Sequence, residues 1–162
     1  MNGKLRNMTS IYLTQGDKIL LLYRQGGRVV SDTWVASAGG HFEPYELNDA
    51  RACVLRELQE EIGLTEDSLQ NLRLRYVTLR RTKGEIRQNY YFFAELTADL
   101  PAASSNEGTL RWFELSDTAP LEMPFTAKFV LEHYRTIGRQ TQQLYGGIAD
   151  GNRVRFIEMP EF

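Results

Sequence analysis

The chain has 162 residues, a formal net charge of −2 and 42% hydrophobic residues, which suits one domain with an ordinary core. That charge excludes the basic field that polymeric nucleic acid selects. The single cysteine, Cys53, excludes an intrachain disulfide and fits a reducing cytoplasm. The N-terminus has no apolar leader run, and no apolar stretch is long enough to span a membrane.

Residues 8–13 read as a strand, with Ile11 and Leu13 alternating against Tyr12. A turn at 15–18 leads to a second strand over 19–24, whose Ile-Leu-Leu-Leu-Tyr run predicts burial on both faces. The two should form a hairpin ending at Arg24. After the loop 25–28, residues 33–37 form a short strand carrying Trp34, read as a packing residue. Gly39 and Gly40 follow and let the backbone approach a ligand closely. His41 reads as an exposed loop residue.

Asn48 is the expected N-cap of a helix over 49–62, stopped by Gly63. Leu55, Leu58 and Ile62 give that helix an apolar stripe. Glu57, Glu60 and Glu61 fall within roughly 100° of arc on another side. Acids in the last turns oppose the helix dipole, and Glu57 and Glu61 repel as an i,i+4 pair. A solvated acidic face, helped by an Arg56–Glu60 pair, is one reading. A hard-cation site is the other, because Mg²⁺ takes oxygen ligands. Cys53 lies one turn before Glu57 and reads as a small packed residue under the glycines.

Residues 72–81 and 86–96 are strands joined by a tight turn. In the second, Tyr91 and Phe93 face one way and Tyr90 and Phe92 the other, mostly as core. The loop 101–106 precedes Glu107-Gly108-Thr109-Leu110-Arg111-Trp112. A second helix spans about 125–137 and stops at Gly138. Residues 143–148 and 153–159 flank Asp150-Gly151, a strong hairpin signal. This hairpin could extend the sheet, cover an edge or build a dimer contact.

Gly40, Glu46, Arg56, Glu57, Leu58, Glu60, Glu61, Gly63 and Leu64 resemble the Nudix box, G-x5-E-x7-R-E-U-x-E-E-x-G-U, where U is a bulky aliphatic residue. One departure stands out. Nine residues separate Glu46 from Arg56 where the pattern has seven, so a two-residue insertion falls within 47–50. The resemblance covers about 8–137. It implies an α/β/α sandwich with a mixed β-sheet, to which this chain adds the C-terminal hairpin. It also implies metal-dependent hydrolysis of a nucleoside diphosphate linked to another moiety. Nucleoside triphosphates, including oxidised purine ones, are among the substrates of similar members. A non-catalytic nucleotide-binding regulatory domain is the rival expectation.

By the same resemblance, Mg²⁺ or Mn²⁺ is held by Glu57, Glu60, Glu61 and the Gly40 carbonyl. One of Glu60, Glu61 or Glu107 orients or deprotonates the attacking water. Arg56 pairs with a carboxylate, Glu46 supports the site, and Gly39 and Arg24 meet the substrate phosphates. The implied partner is a small nucleotide, with no membrane and no nucleic-acid polymer. A homodimer and a cytoplasmic location complete the expectation.

Overall fold

The computed structural model describes residues 1–24, 32–100 and 108–162. Among them, nine strands form one mixed sheet. Strand β1 (Leu5–Gln15) lies at its centre and runs parallel to β6 (Glu85–Leu96), from Leu5 opposite Ile86 to Thr14 opposite Glu95. The other edge of β1 is shared. Its C-terminal part pairs with β2 (Lys18–Arg24), as the hairpin reading expects, and its N-terminal part pairs with β4 (Ala38–His41).

Ser37 fills the fork where β2 and β4 diverge. The Leu13 N–H donates to Ser37 Oγ at 3.0 Å, and Ser37 Oγ donates to the Leu20 carbonyl at 2.6 Å. A fully buried side chain thus replaces the main-chain partners that the fork removes. Ser37 also anchors the entry to the glycine pair. On the far side, β2 pairs with β3 (Thr33–Val35) and β7 (Thr109–Glu114). Ile19 to Leu22 are almost wholly buried, as the two-sided apolar run predicts.

Helix α1 (Ala50–Ile62) covers one face of the sheet, where Val54, Leu58 and Ile62 pack with Ile11, Leu13, Leu20 and Phe92. Helix α2 (Phe125–Thr136) covers the other, where Val130 and Leu131 pack with Tyr12, Leu21, Tyr91 and Phe93. The alternation of the aromatics in β6 therefore divides them between two cores. Trp34 packs between Tyr23 and Phe113, with ring centroids 4.9 and 4.7 Å away. The result is an α/β/α sandwich.

The C-terminal hairpin extends the sheet. Strand β8 (Tyr145–Ala149) runs parallel to β5 (Leu69–Thr82), which pairs with β6 on its other side, and β9 (Val154–Glu158) completes the row. Buried Arg75 fixes the connection from α2, donating to the carbonyls of Gly138, Thr141 and Gln143 at 2.7 to 3.1 Å. Tyr145 stacks on Tyr76, which hydrogen-bonds His133 of α2 at 2.9 Å. No described helix is long and apolar enough to cross a membrane.

Candidate active site

The site grows from the start of α1. Its N-cap is Asp49, whose side chain accepts the Ala52 N–H at 3.0 Å. This corrects the Asn48 expectation. Asn48 instead takes a left-handed conformation, φ 74°, which Asn tolerates and which turns the chain between the Pro44–Glu46 turn and the helix. Leu47, beside it, is exposed. The extra length between Glu46 and Arg56 is thus taken up by an exposed turn, and Glu46 still reaches Arg56.

That pair is the hinge of the site. Glu46 is 1% exposed and meets Arg56 in a two-point fork, Nε to Oε2 and Nη2 to Oε1, both at 2.9 Å. Glu46 also accepts the Glu43 N–H at 2.9 Å. These bonds, led by the one to Arg56, hold its carboxyl below the usual glutamate range. Arg56 has three further oxygen partners. It donates to the His41 carbonyl at 3.1 Å and pairs with Glu57 at 2.9 Å and Glu60 at 3.0 Å. Bonding to Glu46 first, then to Glu57, fixes the guanidinium in its charged form.

The two glycines have separate reasons to be glycine. A Cβ on Gly39 would lie 2.3 Å from the Thr9 carbonyl of β1. A Cβ on Gly40 would lie 2.4 Å from the Glu57 carboxylate, which therefore rests directly on the Gly40 main chain. The Gly39 N–H donates to Glu61 Oε2 at 3.3 Å. Glu57 and Glu61 thus flank the glycine pair, while Glu60 is exposed and held by Arg56.

Among the described residues, no three His, Cys, Asp or Glu side chains already form a metal cage. The donor chemistry nevertheless fits a hard divalent ion. Carboxylate oxygens of Glu57 and Glu61 lie against the glycine main chain, where a side chain at residue 40 would block Glu57. The nearby soft donor does not compete. The Cys53 thiol is fully buried and hydrogen-bonded to Thr9 Oγ1 at 3.3 Å, and burial pushes its pKa up to about 11. Its alkylation in mildly alkaline buffer should be at least ~100-fold slower in the native protein than in the unfolded chain. Equal rates would show that Cys53 is accessible.

Beside Gly39 and Glu61, on the α2 side of the sheet, opens a cavity of about 270 Å³. Arg24, Arg80 and Arg87 line it, together with Thr78, Asn89 and Tyr91. Asn89 Nδ2 donates to Ser10 Oγ at 3.2 Å, Arg87 donates to Glu85 at 2.9 Å, and Arg80 lies 5.1 Å from the Phe125 ring centre. His41 is exposed at the end of β4 rather than in a loop. Partial burial, then the Arg6 and Arg87 charges, hold its pKa below the ordinary value. Arg6 and Arg87 thus bring positive charge to the outer end of β4.

The structure brings Gly39, Gly40, Glu46, Arg56, Glu57, Glu60 and Glu61 together and sets Arg24 in the adjoining cavity. Glu107 lies outside the described residues. The sequence reading missed Thr78 and Arg80 on β5, and Arg87 and Asn89 on β6. Their i,i+2 spacing was a usable signal, since it puts each pair on one face of its strand.

A family model for the NUDIX domain matches residues 4–134. No curated protein sequence matches the chain. Among solved structures, the chain is similar to a mutator MutT protein from Bacillus halodurans, with 23% identity and a TM-score of 0.69, over 97% of this chain and 99% of that one. It is also similar to a MutT NUDIX hydrolase from Burkholderia pseudomallei, with 24% identity and a TM-score of 0.60, over 80% and 97%. A C. elegans Ap4A hydrolase in a binary complex shows 20% identity and a TM-score of 0.63, over 85% and 99%. At these identities the likeness establishes a shared fold.

Proposed function

This chain belongs to the Nudix hydrolase family, and from that premise we propose that it uses Mg²⁺ or Mn²⁺ to hydrolyse a pyrophosphate bond in a nucleoside diphosphate linked to another moiety. The observation that carries this reading is one junction. Carboxylates of α1 flank the Gly39–Gly40 main chain, and a cavity bearing three arginines opens beside it.

Diphosphate oxygens repel an anionic nucleophile, and a bound divalent cation would neutralise them and acidify the attacking water. Glu57, Glu60, Glu61 and the Gly40 carbonyl are the residues that would hold it. The chain's own part is positional. Arg24, Arg80 and Arg87 draw an anionic substrate into the cavity, and Asn89 and Thr78 offer it hydrogen bonds. Arg56 keeps the helix and the glycine strand in register through Glu46 and the His41 carbonyl. It does not need to touch substrate. Glu61, between cavity and helix, is placed to orient water, a role it shares as a candidate with Glu60 and Glu107.

The substrate class we favour is a nucleoside triphosphate, ordinary or modified. One similar structure is an Ap4A hydrolase, so dinucleoside polyphosphates belong in the test. The lone buried thiol accords with a cytoplasmic site of action.

The test is phosphate release from nucleoside triphosphates, nucleotide sugars and dinucleoside polyphosphates, with Mg²⁺ and with Mn²⁺, beside Glu60→Gln. Turnover of one class, lowered in the variant by roughly 100-fold or more, is the expected result. Unchanged activity in Glu60→Gln would overturn the metal assignment. Nucleotide binding without turnover of any compound would favour a regulatory binding domain.

A further inference from the structure

Strand β9 ends the sheet, and its ladder to β8 shows which main-chain groups face outward. The Asp150 N–H donates to the Arg153 carbonyl at 3.0 Å, and the Met159 N–H to the Leu144 carbonyl at 2.8 Å. Hydrogen-bonded positions alternate in an antiparallel pair. Between those two bonds, Arg155 opposite Ile148 and Ile157 opposite Gly146 also turn inward. Val154, Phe156 and Glu158 therefore turn their N–H and C=O groups away from β8. No described strand pairs with that edge.

The edge has two further properties. Ile157 is 73% exposed, and Ile148 and Leu79 continue its apolar band across β8 and β5. Its charges are also ordered: Arg153 and Arg155 precede Ile157, while Glu158 and Glu161 follow it. Charges on an edge strand usually deter pairing. This order makes the deterrent selective. A parallel copy would set Arg against Arg, whereas an antiparallel copy sets the basic half against the acidic half.

One register satisfies the charge order and pairs the outward groups of Phe156 and Glu158. With Ile157 on a twofold axis, Arg153 lies opposite Glu161 of the second copy and Arg155 opposite its Met159. Phe156 and Glu158 then exchange main-chain hydrogen bonds across the axis, and Val154 donates to the Pro160 carbonyl of the second copy. Pro160 has no N–H to return, so in this register the Val154 carbonyl stays with solvent at the end of the ladder. We propose that the free edge of β9 binds a second copy of this chain antiparallel, so that one sheet runs through a twofold dimer.

Sedimentation equilibrium of the full chain, from low micromolar to near-millimolar, tests this. The expected mass rises toward twice 18.6 kDa. Glu158→Pro removes an outward donor and leaves the β8 ladder intact, so self-association should weaken by roughly 10-fold or more. Arg153→Glu should weaken it comparably, and Arg153→Glu with Glu161→Arg should restore it. Both residues are exposed, so circular dichroism should show each variant folded as the parent is. A monomer at every concentration would overturn the proposal. So would a dimer indifferent to Arg153→Glu, which would place the contact on another surface.

Discussion

Glu61→Gln is expected to lower kcat by roughly three orders of magnitude while leaving the fold intact. Glu61 is the α1 carboxylate that both touches the glycine strand and lines the cavity. The substitution keeps shape and keeps an oxygen to accept the Gly39 N–H. What it removes is one negative charge where the proposed chemistry needs a cation or an oriented water. Loss of stability should therefore be small, and kcat should carry the effect rather than KM. Steady-state kinetics in Mg²⁺, with a thermal unfolding curve of the same sample, separates the two. A kcat within about tenfold of the parent would remove Glu61 from the chemistry, since general-acid-base and electrostatic roles cost more than that.

Glu46→Gln should act on stability first. Breaking a buried, two-point ion pair typically costs about 3–5 kcal/mol because one charge is left without its partner. Here Arg56 would keep Glu57 and Glu60, so a loss of about 2–3 kcal/mol is expected. Activity should also fall, because Arg56 ties the glycine strand to α1 through Glu46. The sign of the pH dependence follows from the lowered pKa of Glu46. The unfolded chain protonates this carboxyl near the ordinary value of 4.5, and the folded protein only at lower pH. The stabilisation is therefore complete above the ordinary value and is lost as pH falls through the folded one. Urea unfolding at neutral pH should show the full gap between parent and variant, and the gap should narrow in acid. A gap that is constant with pH would mean that the Glu46 charge contributes nothing.

The sequence by itself determined what depends on neighbours along the chain. Helical spacing put Glu57, Glu60 and Glu61 on one side of α1 and its apolar residues on another, and Gly63 ended the helix. Alternation in β6 assigned Tyr91 and Phe93 to one core and Phe92 to the other. Asp150-Gly151 marked the last hairpin. These signals are local because helix and strand periods repeat within a few residues.

Tertiary structure decided the rest, because the deciding atoms are far apart in sequence. Nothing near β1 in the chain announces that it runs parallel to β6 or splits its other edge around Ser37. Gly39 must be glycine because of Thr9, and Gly40 because of Glu57, and neither neighbour is sequential. Arg80 and Arg87 come to one cavity only because β5 and β6 pair. The spacing after Glu46 departs from the box pattern by two residues. In space it is an exposed turn, because a buried Glu46–Arg56 fork constrains only its own ends and leaves the loop between them free to lengthen.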